Sequence, residues 1–99
     1  MISTIYCDLN NSIKKTDVIN LLKELDKINP FLKYIENGET LDFFSIQNSN
    51  YCKIKVFDHY SDDKLIIVSA IDNLIKGAAG QAVQCFNIAE NIEETVSLV

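Results

Sequence analysis

One run of sixteen residues, Ser69 to Gln84, constrains this chain more than any other. It carries an apolar strand, Leu65 to Ala70, through Asp72-Asn73 into a helix whose opening includes four small residues in a row, Gly77, Ala78, Ala79 and Gly80. Each glycine inside a helical pattern weakens it by roughly 1 kcal/mol relative to alanine. Such a cost calls for a packing or functional reason. With no side-chain bulk on that turn, another backbone or a ligand can come within contact distance. Asp72 stands at the expected N-cap, where a carboxylate accepts hydrogen bonds from the first free amides. Asn73 beside it offers both a donor and an acceptor. A strand-to-helix junction of this kind suits a polar ligand. A plainer alternative stands next to it. Asn73 can be a helix-start residue bonding its own backbone, and the Gly77–Gly80 turn a close contact within the fold.

The length of 99 residues suits one domain with a small core. A hydrophobic share of 47% matches an ordinary soluble globular protein. The net charge of −5 argues against nucleic acid or an anionic membrane as partner. All nine basic residues are lysines, so a bound anion would meet ammonium groups or backbone amides and no guanidinium fork. No apolar run reaches transmembrane length, and Met1-Ile2-Ser3-Thr4 lacks the basic start of a secretory signal. Cys7, Cys52 and Cys85 are odd in number and widely spaced, without a zinc or redox pattern. Free thiols in a reducing cytoplasm are the expectation.

In chain order, Ile2 to Asp8 reads as a strand from its β-branched and aromatic residues. A core strand starting at the first methionine points to truncation. Thr16 can cap a helix whose apolar positions Val18, Leu21, Leu22, Leu25 and Ile28 fall in one stripe. Asn29-Pro30 stops it, because the residue before proline is pushed out of the α region. Phe31 to Glu36 reads as a short strand and Asn37-Gly38 as a turn. Glu39 to Asn50 has no period and reads as a loop pinned by Phe43, Phe44 and Ile46. Long loops of that sort usually bind something or line an interface. Tyr51 to Phe57 alternates, with Cys52, Ile54 and Val56 on one face and Lys53 and Lys55 on a solvated one. Lys64 to Ala70 is nearly all apolar, as a central strand buried on both faces would be. The last helix, about 73–89, is apolar around much of its girth and so should be covered on more than one side. The acidic tail from Glu90 should fray. The order β-α-β-loop-β-β-α predicts an α+β fold, a mostly antiparallel sheet with helices packed on it.

Little in the chain is shaped for chemistry. His59, the single histidine, lies in a hairpin loop between Asp58 and Tyr60 and reads as solvent-exposed. Each cysteine falls on an element whose apolar face would bury it, which is core packing. No catalytic set and no metal set can be assembled, so the catalytic and metal residues are none.

The run Ser-Ala-Ile-Asp-Asn-Leu-x-Lys-Gly-Ala-Ala-Gly-Gln-Ala-Val-Gln at 69–84 resembles the C-terminal signature of the N-acetyl-gamma-glutamyl-phosphate reductases. The rest is similar more loosely. Ile2 to Tyr6 resembles the strand with which that family's second domain resumes, and Asn29-Pro30-Phe31-Leu32 the start of its next strand. Ser49-Asn50-Tyr51-Cys52 resembles a Gly-Ser-Asn-aromatic-Cys segment. The Arg-Gly that usually precedes it is replaced here by Gln47-Asn48, which puts in doubt any anion contact of that arginine.

The resemblance implies an NADP-dependent oxidoreductase with an N-terminal Rossmann domain and a second, α+β domain like that of glyceraldehyde-3-phosphate dehydrogenase. It implies that residues 1–99 are part of that catalytic and dimerisation domain, with the helix at about 73–89 returning toward an absent NADP-binding domain. In such enzymes a cysteine thiolate attacks N-acetylglutamyl phosphate, expels phosphate, and NADPH reduces the thioester to the semialdehyde, in arginine biosynthesis. The cysteine motif Asn-x-Gly-Cys-Tyr-Pro, the catalytic histidine and the glycine-rich loop have no counterpart in this sequence. What carries over is Asn73, as the asparagine that bonds the nicotinamide carboxamide, and Gly77, as the turn that lets the helix lie against the cofactor domain. A fragment inactive by itself, a homo-oligomer and a cytoplasmic location follow from the same resemblance. Two other readings fit these residues: a non-catalytic dimerisation or ligand-binding module, and a relative of aspartate-semialdehyde dehydrogenase. That last family shares Asp-Asn and Lys-Gly-Ala-Ala, but Gly80-Gln81-Ala82-Val83-Gln84 fits it less well.

Overall fold

The computed structural model describes residues 1–99 and contains strands β1 (Ile2–Asp8), β2 (Leu32–Tyr34), β3 (Cys52–Asp58) and β4 (Lys64–Ile71). Its two α-helices are α1 (Lys15–Ile28) and α2 (Gly80–Ala89). The strands form one sheet in the order β1-β4-β3-β2. β4 is central, as its apolar run predicts, and pairs antiparallel with β1 from Ile2↔Ala70 to Asp8↔Lys64. It pairs antiparallel with β3 as well, from Cys52↔Ile71 to Asp58↔Leu65. The fold is α+β and its sheet mostly antiparallel. The exception is β2, which runs parallel to β3 with Leu32 opposite Cys52. A parallel neighbour needs a long return, and residues 35–51 supply it. β2 is also shorter than the six residues its sequence suggests.

α1 forms where its apolar spacing places it, but Thr16 is not its cap. The helix starts at Lys15, and the Asp17 carboxylate reaches back to accept the Lys14 N–H at 2.8 Å. Its end is as expected: Asn29 donates both its backbone N–H and its side-chain amide to the Leu25 carbonyl, and Pro30 follows. Lys15 pairs with Asp58 of β3, and Asp26 accepts the Tyr34 N–H of β2 at 2.9 Å, so the helix is tied to the sheet at both ends. Val18, Leu22 and Leu25 are half-buried, while Leu21 and Ile28 stay exposed.

The buried apolar core is small: Phe31, Ile35, Ile46, Val56, Leu65 and Ala70. β4 is therefore fully buried only at Leu65 and Ala70, not along both faces. The pleat sends Lys53 and Lys55 to one side of the sheet, yet that side is not simply solvated. Lys53 donates to Ser45 Oγ, and Lys55 to the Glu39 carbonyl, so the connection 36–50 folds over it. That connection contains a 3-10 turn, Phe44–Ile46. Ile46 pins it, whereas Phe43 and Phe44 face outward.

The helix expected from 73 to 89 is two pieces. Ile75–Ala79 is a π-helical turn, in which the Gly77 N–H bonds to the Asp72 carbonyl and the Gly80 N–H to that of Ile75, each five residues back. Regular α-helix begins only at Gly80. Its burial is inverted. Gly80, Gln84 and Asn87 face inward, while Val83, Phe86 and Ile88 are exposed. The cover expected for its apolar side is not supplied by these residues. The tail does not fray: Asn87 donates to the carbonyls of Glu94 and Val96, and Gln84 donates to the Glu94 carboxylate at 2.7 Å.

Candidate functional site

β4 ends at Ile71, and the chain turns outward on Asp72. One oxygen of its carboxylate accepts the Leu74 N–H at 2.9 Å, the capping bond expected of it. The other accepts the Asn48 N–H at 2.8 Å, from a loop 24 residues upstream. These two bonds, the Asn48 one foremost, hold the Asp72 carboxyl below its ordinary range, because only the anion accepts from both amides. Asn48 sits at φ 60°, a left-handed conformation that asparagine tolerates and most residues do not.

Gln47-Asn48 and Asp72-Asn73 thus become the two walls of one cleft of about 320 Å3. Phe43 and Leu74 add apolar surface to it. The Asn73 side chain is exposed, and its amide donates to nothing within the chain. Sequence reasoning singled out both dipeptides but gave no sign that they meet.

The glycines of the turn have partners inside the chain. A Cβ on Gly77 would lie 2.4 Å from Asn73 Oδ1, so the Asn73 side chain folds over that glycine. A Cβ on Gly80 would lie 2.2 Å from Asn50 Oδ1 and 2.7 Å from the Ile75 carbonyl oxygen. Asn50 is 1% exposed; its amide donates to Gln84 Oε1 at 2.9 Å, and its own oxygen has no hydrogen-bond partner. That oxygen occupies the space a Gly80 side chain would need. Ser-Asn-Tyr-Cys and Gly-Gln-Ala-Val-Gln therefore lock together in space. The outer side of the turn stays open, with Gly77, Ala78 and Ala79 exposed.

The remaining candidates do not converge. Cys52 Sγ lies 3.6 Å from Ser69 Oγ, and Cys85 is exposed and accepts from Gln81. Cys7 is half-buried on β1. His59 Nδ1 accepts the Ser61 N–H at 3.0 Å, and its ring lies 4.1 Å from that of Tyr60. No group of three His, Cys, Asp or Glu side chains is placed to hold a metal, and no helix is long and apolar enough to cross a membrane. The largest cavity, about 480 Å3, lies along α1, where Lys23 pairs with Glu36 and Lys27 with Glu24. Its charges satisfy one another. It is a solvated helix face.

The sequence that forms this sheet matches a described family. The model of the semialdehyde dehydrogenase dimerisation domain covers residues 1–73, and the chain belongs to that family. The match ends at Asn73, so the π turn and α2 lie beyond it. Among curated proteins, the chain is similar to the N-acetyl-gamma-glutamyl-phosphate reductase of Brachyspira hyodysenteriae, 42% identical over 99 residues, which are 99% of this chain and 28% of that protein. The reductase of Methanosphaera stadtmanae is 40% identical over 90 residues, covering 91% of this chain and 26% of its own length. That of Staphylococcus saprophyticus is 35% identical over 99 residues, 100% of this chain and 29% of the protein. The chain spans under a third of the length of these relatives and corresponds to their C-terminal part. The resemblance read from residues 69–84 agrees with them.

Proposed function

We propose that this chain is the dimerising, cofactor-facing portion of an NADP-dependent N-acetyl-gamma-glutamyl-phosphate reductase, without turnover of its own. It works as a homo-oligomer, and Asn73 directs its free amide at the nicotinamide carboxamide of a cofactor held by a separate Rossmann domain. The observation that carries the reading is the orientation of the end of the chain. Asn73 is exposed and unbonded, and behind it the open turn at Gly77 and the outward Val83, Phe86 and Ile88 form a surface that this sheet does not cover. An apolar face directed away from its own core is the kind that a further domain covers.

The test is reconstitution. The 99 residues alone, given N-acetylglutamyl phosphate and NADPH, are expected to oxidise no cofactor. Joined to the remaining portion of a curated relative, they should support turnover, and Asn73→Ala in that enzyme should lower kcat/KM for NADPH at least tenfold. Turnover by the chain alone, or an Asn73→Ala enzyme with unchanged cofactor kinetics, would overturn the assignment.

A further inference from the structure

The π turn holds one residue more than an α-helix would place there. In an unbroken α-helix from Ile75, the N–H of Ala79 would bond to the Ile75 carbonyl. Here the N–H of Gly80 does. Every later residue therefore lies one place, about 100°, from where an unbroken helix would set it. We propose that Asn50 fixes this rotational phase of α2 and that the π turn takes up the surplus residue, so that Asn50 decides which face of α2 is offered outward. The phase belongs to the chain by itself and is tested separately from the cofactor reading.

Three observations lead there. The inward places of α2 are held by Gly80, Gln84 and Asn87. Without the surplus residue they would pass to Ala79, Val83 and Phe86, and the exposed Val83 and Phe86 would turn inward as an apolar stripe does. The hydrophobic pattern thus favours the phase that the fold rejects. What rejects it is Asn50, 1% exposed, whose Oδ1 lies 2.2 Å from the point where a Cβ on Gly80 would stand. Ala79 brought to that place would carry such a Cβ, and only glycine leaves the space open. Gln84 secures the observed phase, since its Oε1 accepts the Asn50 amide at 2.9 Å and the Lys76 ammonium at 2.7 Å. Asn50 Oδ1 itself is buried without a partner, an unfavourable state that this phase retains.

Single-residue deletions compared by urea unfolding test the turn. Deletion of Ala78 removes the surplus while Gly80, Gln84 and Asn87 stay inward, so the folding equilibrium constant should change less than about tenfold. Deletion of Ala82 lets Gln84 and Asn87 keep their places only if the π turn relaxes and sets Ala79 beneath Asn50. That variant should fold at least about thirtyfold less favourably. Adding Ala79→Gly to it should recover at least about tenfold, although helix propensity alone would make that glycine about fivefold worse. With Asn50→Ala in both deletions, the gap between them should shrink below about threefold. The glycine recovery decides the matter where Asn50→Ala does not fold. Equal damage from the two deletions, a harmless deletion of Ala82, a further loss on adding Ala79→Gly, or a gap that persists in Asn50→Ala would each overturn the inference.

Discussion

The two helices of this chain bury opposite kinds of residue. α1 turns Val18, Leu22 and Leu25 toward the sheet and is stitched to it by Lys15–Asp58 and by Asp26. α2 turns Gly80, Gln84 and Asn87 inward and leaves Val83, Phe86 and Ile88 outside. An ordinary surface helix is held by its apolar stripe. α2 is held instead by side-chain amides: Gln84 to Asn50, Lys76 and Glu94, and Asn87 to the tail carbonyls. The contrast teaches that one end of the molecule is held by apolar packing and the other by polar bonds. α1 completes a core, whereas α2 is fixed in place by polar bonds and leaves its apolar side exposed.

The sharpest way to break that contrast is at Gly80. Valine there would set its Cβ against Asn50 Oδ1 at 2.2 Å and the Ile75 carbonyl at 2.7 Å, one of them backbone that cannot move aside. Overpacking of this severity is expected to cost about 3 kcal/mol in urea unfolding, far beyond any change in helix propensity. A neutral or stabilising result would mean that α2 does not rest on Asn50. Gln84→Ala comes next. It strands the buried Asn50 amide and removes an acceptor from Lys76, and a buried group left unpaired costs about 2 kcal/mol. If α2 were held by apolar contact, the loss would be far smaller.

A pair of truncations then compares the helices directly. Leu25→Ala removes a half-buried side chain from the α1 stripe and should cost about 1 kcal/mol, near half the value of a fully buried leucine. Phe86→Ala, on the outward side of α2, should stay within about 0.5 kcal/mol in the chain by itself. The same Phe86 change should weaken reconstitution with a cofactor domain, measured by the concentration needed for half-maximal activity. Equal stability losses at the two sites would show that both helices serve the same core.

Much of the α1 end and the sheet was legible in the residues. The spacing of Val18, Leu22 and Leu25, the Asn29-Pro30 stop and the apolar run of β4 each state a local preference that the fold keeps. The α2 end was not. A hydrophobic pattern reports that α2 should be covered on more than one side but not by what, and Phe86 and Ile88 stay exposed. The π turn has no composition of its own beyond its glycines, and the reason for Gly80 lies at Asn50, thirty residues away. The three-residue β2 carries too little pattern to announce parallel pairing. The cleft escaped for the same cause: the Asn48–Asp72 bond is long-range, and neither dipeptide names its partner.

That bond yields the smallest effect and a clean sign. The Asp72 carboxyl is held below its ordinary value in the folded chain because its anion accepts from the Asn48 and Leu74 amides. The unfolded chain therefore binds this proton more readily, and stability rises with pH across the window. The contribution is complete above the ordinary aspartate value of about 3.9 and is lost as pH falls through the lower, folded value. Asp72→Ala should flatten the acid limb of a stability–pH curve between about pH 5 and pH 2 by lowering the neutral plateau slightly, since the group is exposed to solvent, with the two curves meeting at the acid end. Asp63, also held low, chiefly by Ser61, titrates alike in both proteins and drops out of the comparison. An unchanged acid limb would show that the carboxylate does not clasp the 43–48 loop, and the cleft would then have one fixed wall where two are described.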